Sequence, residues 1–232
     1  MKKYQHIIFD LDHTLWDFDR NSNIALQEVY TELELHLFGI ADFNEFYERY
    51  KIINEECWAD YRVNKIKKEV LRIIRFQRTL ESYGVHDKIL SETICESYLY
   101  KSPRKPHVIE GTYEVLTQLQ KKYKLHILTN GFSEIQEIKM ESSKLNTYFT
   151  HIIASEDAGE KKPHPQAFNF ALDKIGSNIN ECIMIGDNPE SDIEGARKIG
   201  MDTIYFNRNG AYSKDVIATY QINHLTEILP IL

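Results

Sequence analysis

The sequence predicts an α/β fold, a doubly wound parallel sheet with an all-helical subdomain inserted near its start. Three observations carry this expectation. Short apolar runs alternate with amphipathic segments over the C-terminal half, which calls for parallel strands joined by right-handed crossovers. The stretch Asn21 to Tyr100 keeps helical spacing and holds no strand signal. Several apolar runs end in a polar residue, and in a parallel sheet those ends share one edge.

The first run is His6-Ile7-Ile8-Phe9, a buried strand by its β-branched, apolar content. Asp10 and Asp12 follow at its C-terminal edge. In extended backbone residues i and i+2 project to the same side, so both carboxylates can face one crevice. Two close anions repel unless a cation lies between them. Magnesium prefers carboxylate and carbonyl oxygens and would draw in a phosphate. The same residues also suit an ordinary strand-end turn, with an Asx-type turn at Asp12-His13-Thr14.

Trp16 to Asn21 reads as a polar turn, after which helices take over. Ala25, Val29, Leu33 and Leu37 recur every four positions, with Gly39 as a stop. A second helix follows Asp42. Val63, Ile66, Val70, Ile73, Gln77 and Leu80 form an apolar stripe ending near Gly84, and Asp87 to Tyr100 gives another helix. These helices make a small bundle. Lys101 to His107, with two prolines, returns the chain to the core as an extended segment. With Trp16 to Asn21 it forms a two-stranded tether, a natural hinge over the Asp pair. The expected domains are therefore 1–16 with 104–232 for the α/β core and 17–103 for the helical insertion.

The core resumes with a helix over Gly111 to Lys122 and a strand Leu125 to Thr129, followed by Asn130-Gly131. Further strands are expected at His151 to Ala154, Cys182 to Ile185, Thr203 to Phe206 and Tyr220 to Asn223. Helices lie between them at Ser133 to Lys144, Pro165 to Lys174 and Asp192 to Lys198. Thr129 offers a hydroxyl, and the Asn130-Gly131 turn offers amides for phosphoryl oxygens or simply reverses the chain. Lys161-Lys162-Pro163 presents cations, although most lysines are solvated. Asp187 ends the fourth strand, and Asp192 suits either the first turn of a helix or the same crevice.

Composition bounds the function. With 232 residues, 42% of them hydrophobic, the chain affords a core domain plus an insertion. A net charge of −7 argues against a nucleic-acid polymer as partner. No apolar run approaches membrane-spanning length, and MKKYQHIIFD reaches an acid too early for a secretory signal, so a cytoplasmic location is expected. Cys57, Cys95 and Cys182 are odd in number and widely spaced, which suits buried, reduced thiols.

Taken together these pieces resemble the haloacid dehalogenase-like hydrolase (HAD) superfamily. Its motif DxDx[TV] stands as Asp10-Leu11-Asp12-His13-Thr14 and its strand-ending Thr or Ser as Thr129. Its Lys before a helix stands as Lys162, and its GDxxxxD as Gly186-Asp187 to Asp192. The phrases FDLDHTLWDFDRNS, ILTNGF and GDNPESDIEGARKIGM are most similar to the pyrimidine 5′-nucleotidase-like branch of phosphatases. His13 stands where the superfamily often has Asp or Gly, a tolerated variation. Lys161 is a rival to Lys162, but the lysine directly before proline matches the motif better.

The resemblance implies a Rossmann-like core with a helical cap, and a magnesium-dependent phosphomonoester hydrolase acting through an aspartyl-phosphate. Asp10 would be the nucleophile and Asp12 the general acid and base. Thr129, Asn130, Gly131 and Lys162 would hold phosphate. Asp10, the Asp12 carbonyl and Asp187 would hold Mg2+, with Asp192 orienting Lys162 or metal-bound water. Dehalogenases proper lack the second acid and need no metal, so dehalogenation is disfavoured. The substrate would be a small phosphomonoester, foremost a pyrimidine nucleoside 5′-monophosphate. A sugar-phosphate phosphatase, a phosphoglucomutase-type transferase and a non-catalytic phosphate-binding domain are the alternatives. Trp16 and Phe18 could stack on a base or simply pack the tether. Lys65, Lys68, Arg72 and Arg75 would share a basic helical face, solvated or paired with Glu45, Glu48 and Glu55. Nothing in the sequence indicates an oligomeric state.

Overall fold

The computed structural model describes residues 4–208, 210 and 215–232; residues 1–3, 209 and 211–214, which fall within the expected core bounds, lie outside the described residues. The strands are β1 (His6–Phe9), β2 (Lys124–Thr129), β3 (His151–Ala154), β4 (Cys182–Gly186), β5 (Asp202–Phe206) and β6 (Tyr220–Ile222). The helices are α1 (Phe18–Glu32), α2 (Phe43–Arg62), α3 (Lys68–Glu81), α4 (Lys88–Lys101), α5 (Thr112–Leu119), α6 (Ser133–Ser142), α7 (Pro165–Ile175) and α8 (Gly195–Lys198). Two compact units result, 1–18 with 106–232 and 19–105.

The sheet has the order β3-β2-β1-β4-β5-β6 with every pairing parallel. β1 is buried along its length because β2 and β4 flank it. Its alternating side chains feed two different cores. Ile7 and Phe9 join Val115 and Leu116 of α5 and Met140 of α6, whereas Ile8 joins Phe168 and Ala171 of α7 and Ala196 of α8. The sheet is thus doubly wound. The chain runs from β1 out to β3 and then returns to β4 on the other side of β1, so the order reverses between β1 and β4. That switch point leaves a crevice beyond the C-terminal strand ends, and Asp10 and Asp187 sit at its two lips.

At the opposite end of the sheet three imidazoles form a ladder. His126 Nε2 lies 3.0 Å from His6 Nδ1, and His126 Nδ1 lies 3.2 Å from His151 Nδ1, with each pair of rings stacked. Burial, reinforced by His6, His151 and Lys124, pushes the His126 pKa from 6.5 down to about 3; Glu181 faces His6 from the neighbouring turn. A depressed folded-state pKa contributes its full stability above the unfolded value and loses it as pH falls. Wild-type thermal stability is therefore expected to decline from about pH 6.5 towards pH 3, and His126→Gln to flatten that decline. Identical melting profiles over this window would show that the ladder is not the acid-sensitive element.

In the helical unit Asp42 and Asp87 cap α2 and α4, accepting from the backbone N–H of Glu45 at 2.8 Å and of Leu90 at 2.9 Å. Several expectations need correction, the extended return at Lys101 to His107 among them, since α4 runs to Lys101 and Ser102–Arg104 is a 3-10 turn. Helix α1 already starts at Phe18, because Asn21 and Ser22 belong to its buried face, where Tyr98 Oη donates to Ser22 Oγ. The buried face of α3 is Leu71, Arg75, Phe76, Thr79 and Leu80, while Val63 and Val70 are exposed. Arg75 leaves the expected basic face because its guanidinium donates to Asn54 Oδ1 at 3.0 Å and lies over Phe76 and Tyr98. Glu45, Glu48 and Glu55 pair instead within their own helix, with Arg49, Lys51 and Arg62. All three cysteines are free and buried. Among the described residues no helix is long and apolar enough to cross a membrane.

Candidate active site

The site grows from the end of β1. The Asp10 backbone N–H continues the ladder to Ile185 O at 2.9 Å, which fixes its Cα at the sheet edge. His13 then takes a left-handed backbone, φ 64°, and turns the chain away. That conformation favours glycine, asparagine and aspartate, which is the physical reason those types suit the position.

Lys162 reaches this edge from the loop before α7. Its Nζ donates to Asp10 Oδ1, Asp192 Oδ1 and Leu128 O, each at 2.7 Å, and the residue is 1% exposed. Asn130 fastens the loop: its Nδ2 donates to Lys162 O and its Oδ1 accepts from Lys162 N, both at 2.9 Å, and from Ser155 Oγ at 2.7 Å. Asp192 is fully committed, one oxygen to Lys162 and Ser191 and the other to the Asn188 N–H. A Cβ at Gly186 would fall 2.3 Å from Asp192 Oδ2, so only glycine lets that carboxylate approach. Thr14 Oγ1 orients Asp187 by donating to its Oδ1 at 2.9 Å.

The electrostatics are strained towards cations. Burial drives the Asp10 carboxyl well above its usual range against the pull of Lys162, and burial with the Asp192 charge lifts Asp187 to about 7. Burial also opposes the Lys162 ammonium, but Asp10 and Asp192 outweigh it and hold its pKa above the ordinary value. Asp10, Asp187 and Asp192 can each place one oxygen within 4.8 Å of the others. Among the described residues no other residue donates to Asp10 Oδ2 or Asp187 Oδ2, whereas both Asp192 oxygens accept. Two hard, under-satisfied oxygens on one crevice fit a magnesium ion.

The other expected residues fall as follows. Thr129 Oγ1, at the end of β2, accepts from the Gly131 N–H at 3.0 Å and from Gln136 Nε2 at 2.7 Å. The Gly131 amide, expected to face phosphate, is therefore turned back onto Thr129, and the Asn130 side chain serves the Lys162 loop. Lys162 is the lysine that bonds Asp10; Lys161 does not. Trp16 is 0% exposed in the core, so it offers no free face to a base; Phe18 packs on it edge-on and is half-buried. Trp16 is thereby corrected from a stacking residue to a packing residue, while Phe18 keeps a partly exposed face.

Two residues of the site were missed. Lys139 Nζ donates to Asp12 Oδ1 at 2.6 Å and Oδ2 at 2.8 Å, and Gln136 Nε2 donates to Asp12 Oδ2 at 3.0 Å. A signal existed in the sequence: both lie on the α6 stripe of Met140, flanked by the buried caps Phe132 and Ser143, where polar side chains need a buried partner.

The doubly wound sheet with a helical insertion after its first strand places the chain in the Rossmann-like class. It belongs to the haloacid dehalogenase-like hydrolase family, whose model matches residues 7–206. The pyrimidine 5′-nucleotidase YjjG of Escherichia coli is 30% identical over 232 residues, covering 99% of this chain and 98% of that protein. The pyrimidine 5′-nucleotidase PynA of Streptococcus pneumoniae is 30% identical over 210 residues, with coverages of 88% and 84%. The magnesium-bound crystal structure of the HAD-hydrolase YfnB from Bacillus subtilis superposes with a TM-score of 0.90 at 28% identity, covering 100% of this chain and 99% of that one.

Proposed function

We propose that this chain is a magnesium-dependent phosphomonoesterase that works through an aspartyl-phosphate on a small metabolite, foremost a pyrimidine nucleoside 5′-monophosphate. The observation that carries the reading is the Asp10 carboxylate, held by Lys162 through one oxygen while the other receives no donor among the described residues. Such a carboxylate is fixed for in-line attack on phosphorus. Asp12 protonates the departing oxygen and then takes a proton from water, which hydrolyses the acyl phosphate and restores Asp10. Lys162 and Thr129 hold the phosphoryl oxygens. Asp10, Asp187 and the Asp12 carbonyl would hold the magnesium ion, which when bound neutralises charge as a dianion meets an anionic nucleophile. The helical unit, 19–105, supplies specificity. The nucleotide preference rests on the two nucleotidases to which the chain is similar.

The test is phosphate release from a panel of nucleoside monophosphates, sugar phosphates and small acid phosphates, with magnesium and with a chelator. Uridine and thymidine 5′-monophosphates are expected to be turned over fastest, and chelation to abolish release. Preference for sugar phosphates would move the substrate class and leave the chemistry standing. Absence of release from every compound would overturn the phosphatase reading in favour of a mutase or a binding domain, which a phosphoryl-exchange assay separates.

A further inference from the structure

Lysine is seldom buried without a partner, yet Lys139 is 6% exposed and Gln136 on the same stripe is 1% exposed. Both are turned onto Asp12. The Lys139 ammonium bonds both carboxylate oxygens and rests over the Trp16 ring at 4.5 Å and the Phe18 ring at 5.7 Å. The Gln136 amide nitrogen bridges Asp12 Oδ2 and Thr129 Oγ1, while its Oε1 is buried without a partner among the described residues. Leaving a buried acceptor unsatisfied is costly, so the fold accepts a penalty to aim that nitrogen at Asp12. Turning the amide over would set its oxygen against a carboxylate. Gly131 makes room for this arrangement, since a Cβ there would lie 2.0 Å from Gln136 Nε2 and 2.5 Å from its Cδ.

A carboxylate offers about four acceptor sites. Three of those on Asp12 are taken, two by Lys139 and one by Gln136, which leaves one on Oδ1. We infer that Gln136 and Lys139 are positioning residues that clamp the Asp12 carboxylate with a single open site for proton exchange. This rests on the phosphomonoesterase reading above and extends it to helix α6. The clamp also joins Asp12 to Thr129 through one amide, so the proton-transferring group and a phosphate-holding hydroxyl are set in register by the same side chain.

The test is kcat/KM for two substrates, a nucleoside 5′-monophosphate and p-nitrophenyl phosphate. An alkoxide needs a proton to leave, whereas nitrophenolate leaves without one. Lys139→Met and the near-isosteric Gln136→Met are expected to lower kcat/KM for the nucleotide about 100-fold, the effect of misplacing a catalytic group by an ångström. Lys139→Met should lower it for p-nitrophenyl phosphate by no more than about fivefold, since that leaving group forgoes general-acid assistance, and Gln136→Met, which also releases Thr129, should lower it there by clearly less than for the nucleotide. Lys139→Arg, which keeps a donor in reach, should recover most of the nucleotide activity. Equal losses on both substrates, or loss on neither, would overturn the clamp. Should Lys139→Met fail to fold, the Gln136→Met substrate split decides alone. A wild-type protein inactive on both substrates would instead overturn the phosphomonoesterase reading, a different result from active wild type with unaffected variants.

Discussion

Asp10→Asn is expected to lower kcat by on the order of 10⁴-fold or more, the scale seen when a covalent nucleophile is removed. The amide has the shape of the carboxylate but no anionic oxygen to attack phosphorus. The variant should nevertheless fold at least as stably as the wild type near neutral pH. Burial raises the Asp10 pKa, and a carboxyl whose folded value is raised contributes stability at low pH and loses it as pH rises through that value. A neutral side chain escapes that loss. Lys162 keeps Asp192 and the Leu128 carbonyl as partners, so no buried cation is stranded. Phosphate release, thermal melting at pH 7 and acid-quenched phosphoryl labelling give the three readouts. Residual activity within about tenfold of wild type would place the nucleophile elsewhere.

The sheet and the candidate residues at its edge were legible in the sequence for one reason. Buried parallel strands are short apolar runs, and a polar residue that ends such a run marks the edge where ligands bind. Asp10, Thr129 and Asp187 are all of this kind. The helical side was harder. Arg75 counts as polar in any periodicity, so it moved the expected stripe of α3 onto Val63 and Val70, which are exposed; only the aromatic rings around its guanidinium show why it turns inward. Lys139 and Gln136 escaped for the same reason, since a charged or amide side chain on a helix is read as solvent-facing until its partner is known. That partner, Asp12, is more than a hundred residues away in sequence, 127 for Lys139. Trp16 erred the other way, because an aromatic beside a candidate catalytic turn suggests stacking when the core of the α/β unit has claimed it.

Lys162→Met is expected to cost both activity and stability, and the stability loss separates it from Asp10→Asn. The lysine is the shared cation of two buried carboxylates, Asp10 and Asp192, each at 2.7 Å. Removing one partner from a buried ion pair costs about 3–5 kcal/mol, because the remaining charge is neither solvated nor paired. Here two acids would face each other across an apolar methionine. Repulsion should then force at least one of them to bind a proton, so the variant should unfold more readily as pH rises from 5 to 8, roughly the range opened by a buried carboxylic acid. Replacing Asp192 as well, in Lys162→Met/Asp192→Asn, removes one of the stranded charges and should recover most of the stability while leaving turnover absent. Urea unfolding followed by Trp16 fluorescence in a Trp58→Phe background reports on the α/β unit, where Trp16 lies, apart from the helical one. Recovery of stability without recovery of turnover would assign Lys162 two separable tasks, holding the fold's buried acids together and holding the phosphoryl group beside Asp10. If the double variant were no more stable than Lys162→Met, the ion pairs at Lys162 would not be what holds this edge of the sheet.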